Sequence, residues 1–295
     1  MGFSSTDDWL NEVSNNGKTT GALIWNKLTD VNFVTGRWFD MSGFTGTPVA
    51  NAYAGTALTW TPCNESVGNG AQIFGMPHGG NVATDTKHLA LASAVSGVAA
   101  AVPSFIQWVD MQGYYPGINM NIATAQALSG TPALRYANGA GCRPYLVSTV
   151  ASGSTAHNIA ISYTTQAAVA GRVPPVVVAG TASNTARHIC HTGLAANNYG
   201  PWMPLAGGDT GVQSVQSITL SAASLAGTAA LVIARPIGHP IPLTTVGVLA
   251  EREFFTQAPS LPRIVDGACL VPLIFAGNNT GASSNFYGAI EAQWG

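Results

Sequence analysis

The chain has 295 residues but only 11 Lys+Arg and 13 Asp+Glu, where the usual quarter of the composition would give about 74 ionised side chains. A net charge of −2 without clustered basic residues argues against nucleic acid as a partner, and no apolar run approaches the ~18 residues of a membrane span. A compact monomer of 30.2 kDa exposes roughly 12,000 Å², so neutral polar groups or neighbouring protein must cover most of the surface, as at interface centres depleted of charge.

The chain begins "MGFSSTDDW", which lacks the basic and apolar regions of a secretion signal. Gly2 and Thr6 fit the loose myristoylation pattern, but Phe3, Asp7 and Asp8 suit it poorly. The first dozen residues are expected to be helical. Ser5 or Thr6 caps, Asp7 and Asp8 occupy the positive first turn, and Trp9, Leu10 and Val13 form one apolar face. "NNG" at Asn15 to Gly17 stops that helix. A second helix is expected from Thr84-Asp85 through "TKHLALASAVSG".

Most of the remainder reads as β. "FIQWVDM", "YLVSTV" and "NIAISY" alternate, followed by "VPPVVVAG", "ARHICHTG", "VQSITLSA", "AALVIARP", "ACLVPLIFAG" and "NFYGAIEAQW". Short runs bounded by Gly, Pro, Asn or Ser predict an antiparallel β-sandwich of jelly-roll type rather than βαβ units. Ile218, Leu220 and Ala222 point one way, and "SLAG" turns the chain back through Ala229 to Ala234. The two runs are expected to pair as neighbouring strands. Prolines stiffen the connections and blunt strand edges. The simplest division is an N-terminal arm with its helix over residues 1–45 and one β domain over 46–295. Two β subdomains dividing near 138–144 are the alternative.

Few residues point to chemistry. Cys63, Cys142, Cys190 and Cys269 are widely separated and read as reduced, buried thiols of a cytoplasmically made protein. In "RHICHTG", His188 and Cys190 share a strand face while His191 points away, so packing is expected there rather than zinc. There is no G-x-S-x-G elbow, and the glycine-rich "HGGN" and "NGAG" lack phosphate-loop spacing. Asp110 and Asp209 look placed and are expected to bond backbone N–H groups in turns. The seven Trp are spread evenly, as suits core or subunit anchors. No cofactor, no metal and no enzymatic activity are expected.

Several phrases together carry a resemblance: "SSTDDWLNEVSNNGK", "GRWFDMSGFTGTPVAN", "HGGNVATDTKHL", "DMQGYYPGINMN", "LRYANGAGCRPYLVST", "NYGPWMPLAGGDTGVQSVQSITLS" and the terminal "NFYGAIEAQWG". In order and wording they resemble a group of tailed-bacteriophage virion structural proteins, over the whole length. The resemblance implies a virion component. With the jelly-roll-like reading it points to a head decoration (cement) protein bound to the major capsid protein as a homo-oligomer, with a trimer expected. Tail or fibre-associated carbohydrate binding is the alternative, and the principal coat protein a third. Trp9, Leu10, Trp25, Trp38, Trp202 and Trp294 are the interface candidates. Trp9, Trp25 and Trp38 lie on the expected arm, whose truncation over residues 1–30 should then weaken assembly and leave the β domain folded.

Overall fold

A computed structural model describes residues 2–55, 57–65, 74–82, 84–174, 178–180, 185–190, 200–256 and 261–295. A short helix, α1 (Thr6–Leu10), is followed by β1 (Leu23–Leu28), β2 (Arg37–Asp40), β3 (Thr45–Thr47), β4 (Thr61–Pro62), β5 (Lys87–Ser96), β6 (Ser104–Asn119), β7 (Gln126–Ala127) and β8 (Arg143–Val150). Then come β9 (His157–Thr165), β10 (Val178–Gly180), β11 (Val212–Leu220), β12 (Thr228–Leu243), β13 (Ala250–Glu253), β14 (Arg263–Ile264), β15 (Leu270–Ala276) and β16 (Asn285–Trp294). The fold is mostly β, and among the described residues the strands pair antiparallel in three sheets. A first sheet has the order β13-β5-β16-β1-β3 with β14 on β5. A central sheet runs β2-β15-β6-β12-β8 with β4 on β6, and a small sheet runs β10-β9-β11-β7.

Strands β6 and β12, 16 residues each, organise the molecule. Successive side chains of a strand alternate faces, so Ile106 and Trp108 enter one core while Val109 and Met111 enter another. A register shift where Ile233 and Ala234 meet Gly113 and Met111 leaves Gln112 unpaired, and one extra residue reverses the alternation. Tyr115 thereby continues the face that Trp108 began, and a second register shift, between Tyr115 and Ile118, brings Ile118 onto it as well. One end of that face packs on Trp25, Leu89, Phe286 and Ile290 of the first sheet. The other end packs on Ile159, Ile161, Val215 and Ile218 of the small sheet. The opposite face is covered by Tyr53, Cys63, Ile189 and Trp202 from loops. Two sandwiches therefore share one central sheet. Residues 138–144 lead into β8 of that same sheet rather than into a separate one. Antiparallel sheets packed face to face meet the sandwich expectation; three sheets of six, six and four strands do not amount to the eight-stranded jelly roll.

Two expectations are corrected. Lys87–Ser96 is strand β5, not a helix, because it lies between β16 and β13 in the first sheet. Its small residues Ala92 and Ala94 are fully buried there, and tertiary packing overrides their helix propensity. Strands β11 and β12 do not pair. β11 lies between β9 and β7, and β12 between β6 and β8. The connection crosses from sheet to sheet through Leu225 and Gly227 at positive φ. The alternating residues Ile218 and Leu220 meet Leu231 and Ile233 across a core instead of along a ladder.

The N-terminal segment is built into the domain. α1 is capped by Ser5, whose side chain accepts the Asp8 N–H, and a π-helical turn follows over Asn11–Asn15 before Gly17 at positive φ ends it. β1 then lies between β16 and β3. Trp25 is fully buried, edge-on to Trp108 at 5.6 Å between ring centroids. Removing residues 1–30 takes an interior strand out of the first sheet, so the truncation expected to leave the domain folded is now expected to unfold it. Trp25→Ala should cost about 3–5 kcal/mol in urea denaturation. Removing residues 1–16 alone should leave the sheets intact by circular dichroism.

Candidate interaction surface

The outer face of the first sheet is the most distinctive surface. On β1, Trp25 and Lys27 point inward, so Ile24, Asn26 and Leu28 point out. Register places Ala289, Tyr287 and Asn285 beside them on β16 and Thr47 and Thr45 on β3. Val95 lies beyond Tyr287 on β5. Ile24 is 66% exposed, Leu28 45% and Tyr287 40%. At the edge, Gly247 N–H donates to Ser96 O at 2.9 Å, and the following Val248 and Leu249 are 57% and 55% exposed. Among the described residues no charged side chain interrupts this half of the face; Glu251 and Glu253 follow on β13 and Glu291 on β16.

The helix covers the other half. Trp9 stacks on Phe255 with centroids 4.9 Å apart and donates its indole N–H to Gln293 Oε1 at 2.6 Å. A recess of about 350 Å³ remains between Trp9, Leu91 and Phe255, with Glu253 and Glu291 among its walls. Leu10, one of the residues expected on the helix's apolar face, is exposed beside it.

The structure distributes the six interface candidates. Trp9 and Leu10 belong to this surface. Trp25 is core, and Trp202 is buried edge-on to Tyr145. Trp38 is half-buried against Phe275. Trp294 is half-buried beneath the Lys87 ammonium, 5.9 Å from its ring centroid. Trp25, Trp38, Trp202 and Trp294 pack within the domain; beyond Trp9 and Leu10, Ile24, Leu28, Tyr287 and Leu249 mark the exposed face. Its sequence signal is the alternation of "LIWNKL" in β1, with apolar residues on both faces.

Several buried ionisable groups are held in hydrogen-bonded networks. Asp110 lies inside β6, not in a turn. It pairs with Arg135 (Nη2–Oδ1 2.5 Å, Nε–Oδ2 3.3 Å) and accepts the Cys269 N–H at 2.9 Å. Asp209 accepts from Tyr163 OH at 2.6 Å and from Arg172 Nε at 3.3 Å, so its side chain meets side chains rather than backbone. Asp40 accepts the hydroxyls of Tyr53 and Tyr145, and burial pushes both phenols well up. His78 sits between Glu65 (3.0 Å) and Lys87 (2.9 Å), and burial pulls its imidazole down. Lys27 donates to the carbonyls of Phe44 and Pro48 at 3.1 and 2.6 Å, and burial pulls its ammonium down to about 8. These networks brace loops against sheets. All four cysteines are buried and none is in a disulfide. His188 packs on Phe39, 5.2 Å between centroids, and His191 lies outside the described residues. Among the described residues no three His, Cys, Asp or Glu converge as metal ligands, and no helix is long and apolar enough to cross a membrane.

Compared with protein-family models, curated proteins and solved structures, the chain gives no match.

Proposed function

We propose that the protein is a structural subunit of a tailed-phage virion, a capsid decoration or cement protein that binds the major capsid protein and copies of itself, in trimers. The observation that carries this reading is the uncharged outer face of the first sheet. Ile24, Leu28, Tyr287, Val248 and Leu249 lie exposed there on a chain with 8% charged residues. Such a face gains most when covered by protein, at about 25 cal/mol per Å² of apolar surface, and a stable contact buries roughly 1,200–2,000 Å² in total. The three packed sheets and the buried ion pairs suit a rigid part whose work is area multiplied by symmetry.

Copy number in purified particles, by quantitative mass spectrometry against the most abundant shell protein, tests the assignment. A simple fraction of the shell count supports decoration. A few copies per particle reassign the chain to the tail or collar, and absence from particles sinks the reading. The surface is tested separately with Ile24→Glu and Leu249→Glu. Each should abolish association in sedimentation velocity while changing stability by only about 0.5 kcal/mol. Unchanged association would remove this face from the interface.

A further inference from the structure

A second feature lies away from that face, where β12 leaves its ladder. Ile237 pairs with Trp108 and the next paired residue is Ile241, opposite Ile106, so three residues, Gly238 to Pro240, stand against one. Gly238 takes φ +64, and an added Cβ would meet the Phe254 ring at 2.5 Å, so glycine is required at this bend. The buried side-chain amide of Gln107 ties the bulge to β6 by donating to Ile237 O at 3.0 Å. His239 is thereby turned out to solvent. Bulges of this kind re-aim side chains.

The bulge forms one wall of a cleft of about 360 Å³; the opposite wall is Leu261, Pro262 and Arg263 at β14. Arg235, His239 and Arg263 line it, and among the described residues no carboxylate does. Arg235 stacks on Tyr136, 4.1 Å from the ring centroid, and its Nη1 donates to Ala140 O at 3.4 Å, which leaves the other guanidinium N–H groups to a ligand. The acid opposite it across the strands, Asp110, is already engaged by Arg135. A neighbouring recess shares His239 and adds Arg252, whose Nη2 donates to Pro240 O at 3.4 Å and whose buried Nε has no partner. Arg235 and Arg263, two of the chain's 11 Lys+Arg, thus share the cleft with a histidine, and Arg252 lies in the recess beside it; none of the three has a carboxylate within 4.0 Å among the described residues.

We propose that this cleft is a binding site for a phosphate-class oxyanion, either free or as a phosphoryl group. Guanidinium forks suit phosphate oxygens. Donors arriving from two strands on opposite walls suit a tetrahedral anion, whereas a planar carboxylate is satisfied by one fork. Arg235 and Arg263 are the principal donors, and His239 and Arg252 close the site. Their separation in sequence explains why net charge and basic runs give no sign of it.

The test is a two-dimensional NMR titration of the full chain, following the arginine Nε–Hε and His239 ring signals. Inorganic phosphate, sulfate and acetate are added in parallel at constant ionic strength. Phosphate and sulfate should give saturable shifts at Arg235 and Arg263, with acetate at least about tenfold weaker. Arg263→Gln, an exposed position, should keep the fold and weaken phosphate by about tenfold or more. Arg172→Gln, which removes a cation outside the cleft, should leave phosphate affinity unchanged. Linear, unsaturable shifts, or equal affinity in Arg263→Gln, would overturn the site. Acetate binding as tightly as phosphate would overturn the phosphate assignment in favour of an acidic side chain from a partner protein. If the site holds, glucose 1-phosphate against free phosphate separates a phosphoryl ester from the free ion: tighter binding of the ester supports the phosphoryl form, and tighter binding of phosphate supports the free ion.

Discussion

Arg135→Met is expected to lower the unfolding free energy by about 3–5 kcal/mol, a large part of the roughly 5–15 kcal/mol that holds a typical domain folded. The Arg135 guanidinium bridges three segments. It bonds both oxygens of Asp110 on β6, the carbonyls of Cys63 and Met111 at 2.5 and 2.6 Å, and Asn64 Oδ1 at 3.2 Å. Methionine fills much of the volume but leaves a fully buried carboxylate holding chiefly the Cys269 N–H and takes a donor from the carbonyls of Cys63 and Met111. The cost therefore arises from what is left unpaired rather than from the pair's net worth. Pairing Arg135→Met with Asp110→Asn should be less damaging than the sum of the single changes by about 1–3 kcal/mol. Urea denaturation of the four proteins measures both quantities. A loss below about 1 kcal/mol for Arg135→Met would mean that the pair is solvated and does not brace the loop over residues 57–65.

How much of this was legible in the sequence depended on how local the cause was. β16 coincides with "NFYGAIEAQW", and β9 and β11 follow the runs that alternate, because period-two burial is written residue by residue. β5 was misread because Ala and Ser carry little β preference; only burial between β16 and β13 makes "KHLALASAVS" a strand. The β11–β12 pair failed for a different reason. A turn signal says that the chain reverses, not whether it reverses within a sheet or between two, and the facing of Ile218 and Leu231 settles that. Asp110 looked placed, but its partner Arg135 is 25 residues away, and nothing local marks the pairing. The bare face was half legible. Low charge called for covered surface, but evenly spaced tryptophans drew attention to residues that the three cores absorb.

Alkaline pH is expected to unfold the protein steeply above about pH 10, and the buried thiols and phenols set the sign. Burial holds Cys142, Tyr114, Tyr115 and Tyr163 up to about 12, and pushes Cys63, Cys190, Tyr53, Tyr136 and Tyr145 up as well. In the unfolded chain the thiols release protons near their ordinary value of 9.0 and the phenols near 10.0. Above those values the folded state binds more protons than the unfolded one, so stability that is intact below about pH 9 is lost as pH rises. Each such group removes about 1.4 kcal/mol per pH unit. Lys27 works in the opposite direction: its folded value of about 8 lies below 10.5, so its contribution rises with pH between those limits. Burial pulls the Lys87 ammonium down as well, and these two ammonium groups are outnumbered by nine acids. Stability should hold or fall gently from pH 8 to 9 and drop below zero between about pH 10 and 11. Circular dichroism melts at pH 8, 9, 10 and 11, with reductant present to keep the thiols free, would show Tm collapsing over the last step. A Tm flat to pH 11 would mean that these side chains ionise in the folded state as readily as in water, and that the three cores admit solvent.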